Sequence, residues 1–178
     1  MGSTFVIGAT GYIGSRLSER LTADGSEVRG LAHTPESEAE LRRLGHTPIP
    51  ATLADLDVLR REAAAADAVV WTVMSLNPDE YPGMEVALAT LNEALAGSGK
   101  PLLCMGGGMM YSDTGDTPVG EDGPVDLLNP IAGHALRLEA IALDGAKQGV
   151  RSIAIRSSLV FGRGAGMFVR GPIEAAKG

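Results

Sequence analysis

An α/β protein built on a doubly wound parallel sheet is the fold this sequence predicts, and three observations predict it. Short apolar runs alternate with stretches of helical periodicity along the whole chain. Three glycines, Gly8, Gly11 and Gly14, follow the first apolar run and open the first helical stretch. The 178 residues are 44% hydrophobic but only 4% aromatic, so one sizeable core must be filled by Leu, Val, Ile and Ala.

Phe5 to Ile7 reads as a first strand buried on both faces. Ile13, Leu17 and Leu21, spaced by four, mark the apolar face of the helix after it. Glu27 to Ala32 is the second strand. Thr34 caps a helix that opens on Pro35, runs to about Leu44 and stops at Gly45. Thr47 to Pro50 is a weak third strand, since Pro48 and Pro50 limit its pairing. Leu56, Leu59 and Ala63 share a helical face, and Ala68 to Val73 forms a buried fourth strand. Met84, Leu88, Leu91 and Leu95 mark the next helix, closed by Gly97 and Gly99. Pro101 to Met105 is the fifth strand. The segment from Gly106 to Asn129 exceeds ordinary connection lengths, which favours a functional loop over a passive link. A helix follows over Pro130 to Gln148, then a sixth strand over Ser152 to Arg156. Gly162 to Gly171 reads as an open loop and Pro172 to Lys177 as the start of a helix. This alternation implies strand order 3-2-1-4-5-6 with helices on both faces.

The glycines sit where the chain must turn sharply from strand to helix. Glycine permits that turn and lets a diphosphate approach the backbone. The helix that opens there carries roughly half a positive charge at its first amides. Gly8, Thr10, Gly11, Tyr12, Ile13 and Gly14 are therefore the candidate diphosphate contacts.

Composition excludes several classes. A net charge of −7 argues against a nucleic-acid surface. No apolar run approaches the roughly 18 residues of a membrane span. The first strand begins almost at once, leaving no room for a signal peptide. Cys104 is the single cysteine, which excludes an internal disulfide and suits a reducing cytoplasm. It lies in an apolar run and is expected to be buried and inert. No metal site is expected.

The chain resembles the extended short-chain dehydrogenase/reductase superfamily, in its branch of NAD-dependent epimerases and dehydratases. Residues Gly8-Ala9-Thr10-Gly11-Tyr12-Ile13-Gly14 resemble the cofactor fingerprint. Ala51-Thr52-Leu53 stands at the Gly-Asp-Leu segment, whose acid contacts adenine. Ala68 to Val73 resembles the strand beneath the cofactor, which brings in Thr72 and Val73. Met109-Met110-Tyr111, Glu121-Asp122-Gly123-Pro124 and Arg156 to Gly162 resemble three later family segments. The resemblance implies residues 1–178 form one Rossmann-like NAD(P)-binding domain, truncated after the sixth strand, with a small substrate domain missing. Surfaces left uncovered by that domain are expected to favour a homodimer.

The departures bear on chemistry. In the family a Tyr passes a proton, a Lys four residues later lowers the Tyr pKa, and a Ser polarises the same oxygen. No Tyr-x-x-x-Lys occurs in this sequence. Alignment on Pro130 and Glu139 puts Ile131 at the Tyr position and Ala135 at the Lys position; alignment on Tyr111 puts Gly107 at the Ser position. His134 and Tyr111 are the candidate substitutes, each weighed against a plain alternative. For His134 that alternative is a partly exposed, uninvolved histidine; for Tyr111 it is a packing residue. Asp113, Asp116, Glu121 and Asp122 make an acidic lip that disfavours an anionic substrate, and Arg137 is read as a surface residue.

Cofactor choice is set at the end of the second strand, where an acid selects NAD and a base selects NADP. Here Leu31-Ala32-His33-Thr34 offers no acid, and His33 stands where a base would. Arg16 could add charge. NADP is favoured over NAD, with Thr52 weakening adenine recognition; loss of the cofactor altogether stays open. Three functions therefore remain. One is an NAD(P)-dependent epimerase, dehydratase or reductase with an atypical or lost Ser-Tyr-Lys set. Another is a catalytically silent NADP-binding sensor or interaction module. The third is a cofactor-independent, non-redox enzyme on the same fold. The small-molecule substrate is not legible.

Overall fold

The computed structural model describes residues 2–107, 110–163 and 167–176. Its six parallel strands are β1 (Ser3–Ile7), β2 (Glu27–Ala32), β3 (Thr47–Pro50), β4 (Ala68–Trp71), β5 (Pro101–Gly107) and β6 (Arg151–Ser157). They lie in the order β3-β2-β1-β4-β5-β6, as the alternation predicts. The helices are α1 (Tyr12–Ala23), α2 (Pro35–Arg43), α3 (Leu56–Ala65), α4 (Tyr81–Leu95), α5 (Pro130–Asp144) and α6 (Met167–Ala175). Among the described residues, no helix is long and apolar enough to cross a membrane. No group of three or more His, Cys, Asp or Glu among them could hold a metal ion.

Strand alternation sorts the core into two layers. Phe5, Ile7, Val69 and Trp71 face α3, α4 and α5 and join the large cluster with Leu59, Leu88, Leu91, Leu102 and Leu138. Val6 and Val70 face the other way, into a smaller cluster with Ala9, Val28, Ala32 and Leu41. Each fully buried Leu contributes about 2 kcal/mol by leaving water, so the first cluster holds most of the stability. Cys104 belongs to it at 3% exposure, and burial pushes its thiol pKa up to about 12.

Helix α2 shows the capping its sequence announces. The Thr34 hydroxyl accepts from the Ser37 amide at 3.2 Å, and Ser37 Oγ accepts from the Thr34 amide at 3.1 Å. Strand β3 pairs only with β2, so its two prolines cost an edge rather than a ladder.

Several boundaries differ from expectation. Buried Gly14 and Ser18 form the innermost row of α1, while Leu17 and Leu21 flank it half-buried. The helix lies so close to the sheet that only small residues fit beneath it. Strand β4 ends at Trp71 rather than Val73, because the Thr72 hydroxyl turns back to donate to the Ile7 carbonyl at 2.9 Å. Helix α5 ends at Asp144, and Gly145–Gln148 is a 3₁₀ turn. Helix α6 starts at Met167, inside the predicted open loop, and carries Pro172 internally. One missing N–H near the end of a helix was insufficient to set its start. Met109 of the Met-Met-Tyr stretch, Gly164 to Gly166 of the glycine-rich loop and Lys177 lie outside the described residues.

Candidate nucleotide site

The glycine turn is built from three different physical requirements. Gly8 has φ +90°, a conformation that side chains disfavour. Gly11 donates its amide to the Gly8 carbonyl at 2.9 Å and opens α1 from an extended conformation. Gly14 lets helix and strand touch: a Cβ there would stand 2.0 Å from the Gly8 oxygen and 2.8 Å from Thr72 Oγ1. A Cβ on Gly11 would meet only the Gly8 oxygen, at 3.1 Å, so its outer side is open. No side chain caps α1 and no acid stands in its first turn. A helix end with this polarity and this open backbone suits a diphosphate. Thr10 lies in the turn, and Tyr12 and Ile13 begin the helix. Thr72, just past the end of β4, braces the turn, with Val73 beyond it.

Beside the turn, the ends of β2 and β3 enclose a pocket of about 250 Å³ lined by Ala32, His33, Thr34, Pro35, Glu38, Pro50, Ala51 and Thr52. The structure thus brings His33 and Thr52 together. Thr52 does not stand alone where the family acid is missing: its amide and hydroxyl donate to Asp55 Oδ2 at 2.7 and 2.8 Å. Those bonds hold the Asp55 carboxyl below the usual aspartate range. Sequence reading missed Asp55, although the Thr-x-x-Asp spacing carried the signal. Leu53, by contrast, packs against the core.

Arg16 lines a different pocket from His33. This second cavity, about 520 Å³, lies between α1 and the β5–β6 face and is walled mainly by Ile13, Leu17, Leu103, Met105, Ile155, Val160 and Phe161. Arg16 pairs with Glu19, which also meets Arg163 at 3.2 Å. The Tyr12 hydroxyl donates to the Gly162 carbonyl at 3.1 Å, fastening the loop after β6 to α1.

Gly107, Ile131 and Ala135, which the sequence resemblance aligns with the family's Ser, Tyr and Lys, carry no ionisable or hydroxyl side chain. Gly107 ends β5, opposite Ser157, while Ile131 and Ala135 lie in the first half of α5. His134 is not the partly exposed residue expected. It is 0% exposed, because it points from α5 toward α4 and stacks on Tyr81 with ring centroids 3.6 Å apart. Its Nδ1 lies 3.4 Å from Glu85, which also accepts from Arg137 at 2.8 Å. Burial pushes the His134 pKa down despite that carboxylate. Tyr111 is engaged too: its hydroxyl accepts from Arg156 at 2.9 Å, and its backbone bridges to Val125. Asp113, Asp116, Glu121 and Asp122 are all exposed.

A glycine turn at the carboxyl edge, placed where strand order reverses between β1 and β4, defines a Rossmann-type fold. The chain belongs to the NAD-dependent epimerase/dehydratase family, whose model matches residues 4–176. An uncharacterized protein of Schizosaccharomyces pombe is 32% identical over 180 residues, which is 97% of this chain and 59% of that relative. The crystal structure of a Burkholderia cenocepacia protein classed among the epimerases superposes with TM-score 0.79 at 26% identity, over 98% of this chain and 60% of that one. A UDP-glucose 4-epimerase from Brucella ovis, solved in complex with NAD, superposes with TM-score 0.73 at 19% identity, over 88% of this chain and 51% of that one. That last likeness bears on the fold alone. The chain spans less than two thirds of the length of each of these relatives.

Proposed function

We propose that this chain binds a nicotinamide adenine dinucleotide, NADP in preference to NAD, and does so without the family's Ser-Tyr-Lys proton relay. One observation carries the reading: Gly14 brings α1 within contact of the Gly8 carbonyl, while Gly11 leaves the helix end open to a diphosphate. When bound, the dinucleotide would supply hydride transfer at its nicotinamide. The backbone from Gly8 to Gly14 would hold the diphosphate, and His33 with Thr34 would meet the phosphate-bearing ribose. Thr52 would border the adenine. The Brucella ovis epimerase, of the same fold, was solved in complex with NAD, which supports a nicotinamide dinucleotide as the ligand.

Absence of an acid–base group at Gly107, Ile131 and Ala135 favours a binding role, as a redox-reading sensor or interaction module. Calorimetry with NADP and NAD, each up to about millimolar, tests the binding. Micromolar NADP binding with weaker NAD binding is expected, and no heat with either sinks the proposal. The greater length of the relatives favours a second reading, in which a longer protein supplies the missing proton donor. Ile131→Tyr with Ala135→Lys separates the two: gained hydride transfer on a carbonyl panel would mean that only the relay is lacking.

The apolar cavity beside α1 also supports self-association, and a clean monomer in sedimentation at high concentration would refute that. The cytoplasm is the proposed compartment, on the strength of the single buried thiol.

A further inference from the structure

Arg156 is a part-buried cation within a strand. It sits in β6 between Ile155 and Ser157, with its side chain only 19% exposed. Its Nε donates to Glu139 Oε2 at 2.8 Å and its Nη2 to Glu139 Oε1 at 2.7 Å, a two-pronged pair with α5. Its Nη1 donates to the Tyr111 hydroxyl at 2.9 Å and to the Glu121 carbonyl at 2.8 Å. The guanidinium carbon stands 5.0 Å from the Tyr111 ring centroid. One cation thereby joins β6, α5, Tyr111 near the start of the loop after β5, and Glu121 within its acidic stretch.

Met110 anchors the start of the loop in the core, at 2% exposure. Among the described residues, the bonds that cross the loop are Ser112 N–H to the Pro124 carbonyl and Asp126 N–H to the Met110 carbonyl, both at 2.9 Å, and most residues from Asp113 to Asp122 are exposed. Along the carboxyl edge, the His33 pocket lies at β2–β3 and the glycine turn at β1. The far half of a dinucleotide must then extend over β4 and β5, where this loop starts.

We propose that Arg156 is a positioning residue that fixes the 110–126 loop as a wall for the nicotinamide half of the dinucleotide and the substrate beside it. The proposal rests on the nucleotide reading above. Glu139 orients the guanidinium from α5, and the Tyr111 hydroxyl and Glu121 carbonyl receive it from the loop. Lysine cannot replace this geometry, because these four bonds leave from three nitrogens of a planar fork, and a single ammonium nitrogen cannot form the two-pronged carboxylate pair and also reach the hydroxyl and the carbonyl.

The test compares the full chain with Arg156→Gln, Arg156→Lys and Tyr111→Phe, by hydrogen exchange and by calorimetry with ADP and with NADP. Arg156→Gln should speed exchange of the Ser112 and Asp126 amides by about tenfold or more, the size of one lost charge-assisted bond. NADP should bind roughly tenfold more weakly, while ADP, which lacks the nicotinamide half, binds unchanged. A merely structural role would weaken both ligands together. Arg156→Lys should fail to restore the loop. If Arg156→Gln does not fold, Tyr111→Phe keeps the Glu139 pair and should still speed loop exchange. Loop amides at the parent rate in a folded variant, or equal losses for ADP and NADP, overturn the proposal. Parent protein that binds neither ligand refutes the nucleotide reading instead, and the exchange comparison still decides whether Arg156 holds the loop.

Discussion

A Cβ placed on Gly14 would lie 2.0 Å from the carbonyl oxygen of Gly8. No side-chain rotation relieves that contact, because both partners are backbone. Gly14→Ala must therefore push α1 off the sheet. The expected cost is about 3 kcal/mol, at the upper end for overpacking, with loss of nucleotide binding. Gly11→Ala is the contrast. Its Cβ meets the Gly8 oxygen at 3.1 Å, so the chain should fold while the methyl blocks the diphosphate. Urea unfolding and calorimetry on the two variants should separate stability from binding. Equal behaviour of the pair would contradict the division of labour among the glycines.

The buried His134 predicts a pH dependence. Burial is the main cause of its lowered pKa, so the native state resists protonation that the unfolded chain accepts near pH 6.5. Its contribution is fully present above that unfolded value. It is lost as pH falls, and the loss levels off below the lowered native value. His46, 5% exposed and also lowered by burial, acts in the same direction. Stability should therefore drop as pH falls through about 6.5, above the range where the paired carboxylates titrate. His134→Leu should flatten part of that slope, and an unchanged slope would exclude His134 as its source.

Cys104 should be silent in the folded protein. With its pKa pushed up to about 12, the native thiolate fraction at pH 8 is roughly a thousandfold below that of an ordinary exposed thiol. A disulfide reagent should label it only as fast as the chain opens. Rapid labelling without denaturant would show that the β5 face is more accessible than its packing implies.

Gly145 meets α4 without a side chain. A Cβ there would stand 2.2 Å from Oδ1 of Asn92, itself 3% exposed and bonded through Nδ2 to the Ile141 carbonyl. Gly145→Ala should destabilise by about 1–3 kcal/mol. Nucleotide affinity should not change, since the contact lies between helices on the face opposite α1. Denaturant midpoints and one binding titration check both halves.

The order of strands and the glycine turn were legible from local pattern. Period-two burial, helix caps and turn glycines are set by residues near one another in the chain, so a linear reading captures them. Thr34 and Pro35 announced α2 because a cap acts within one turn. What the linear reading could not supply was direction across space. His134 was read as partly exposed because nothing local reveals that Tyr81, on another helix, closes over its ring. The pairing of Arg156 with Glu139 and Tyr111 likewise joins residues far apart in sequence. Residue types and periodicity thus determined the sheet and the glycine turn at its edge. Tertiary packing alone decided which polar groups were buried, which were paired, and which face of each helix they served, because burial and ion pairing depend on neighbours that only folding brings together.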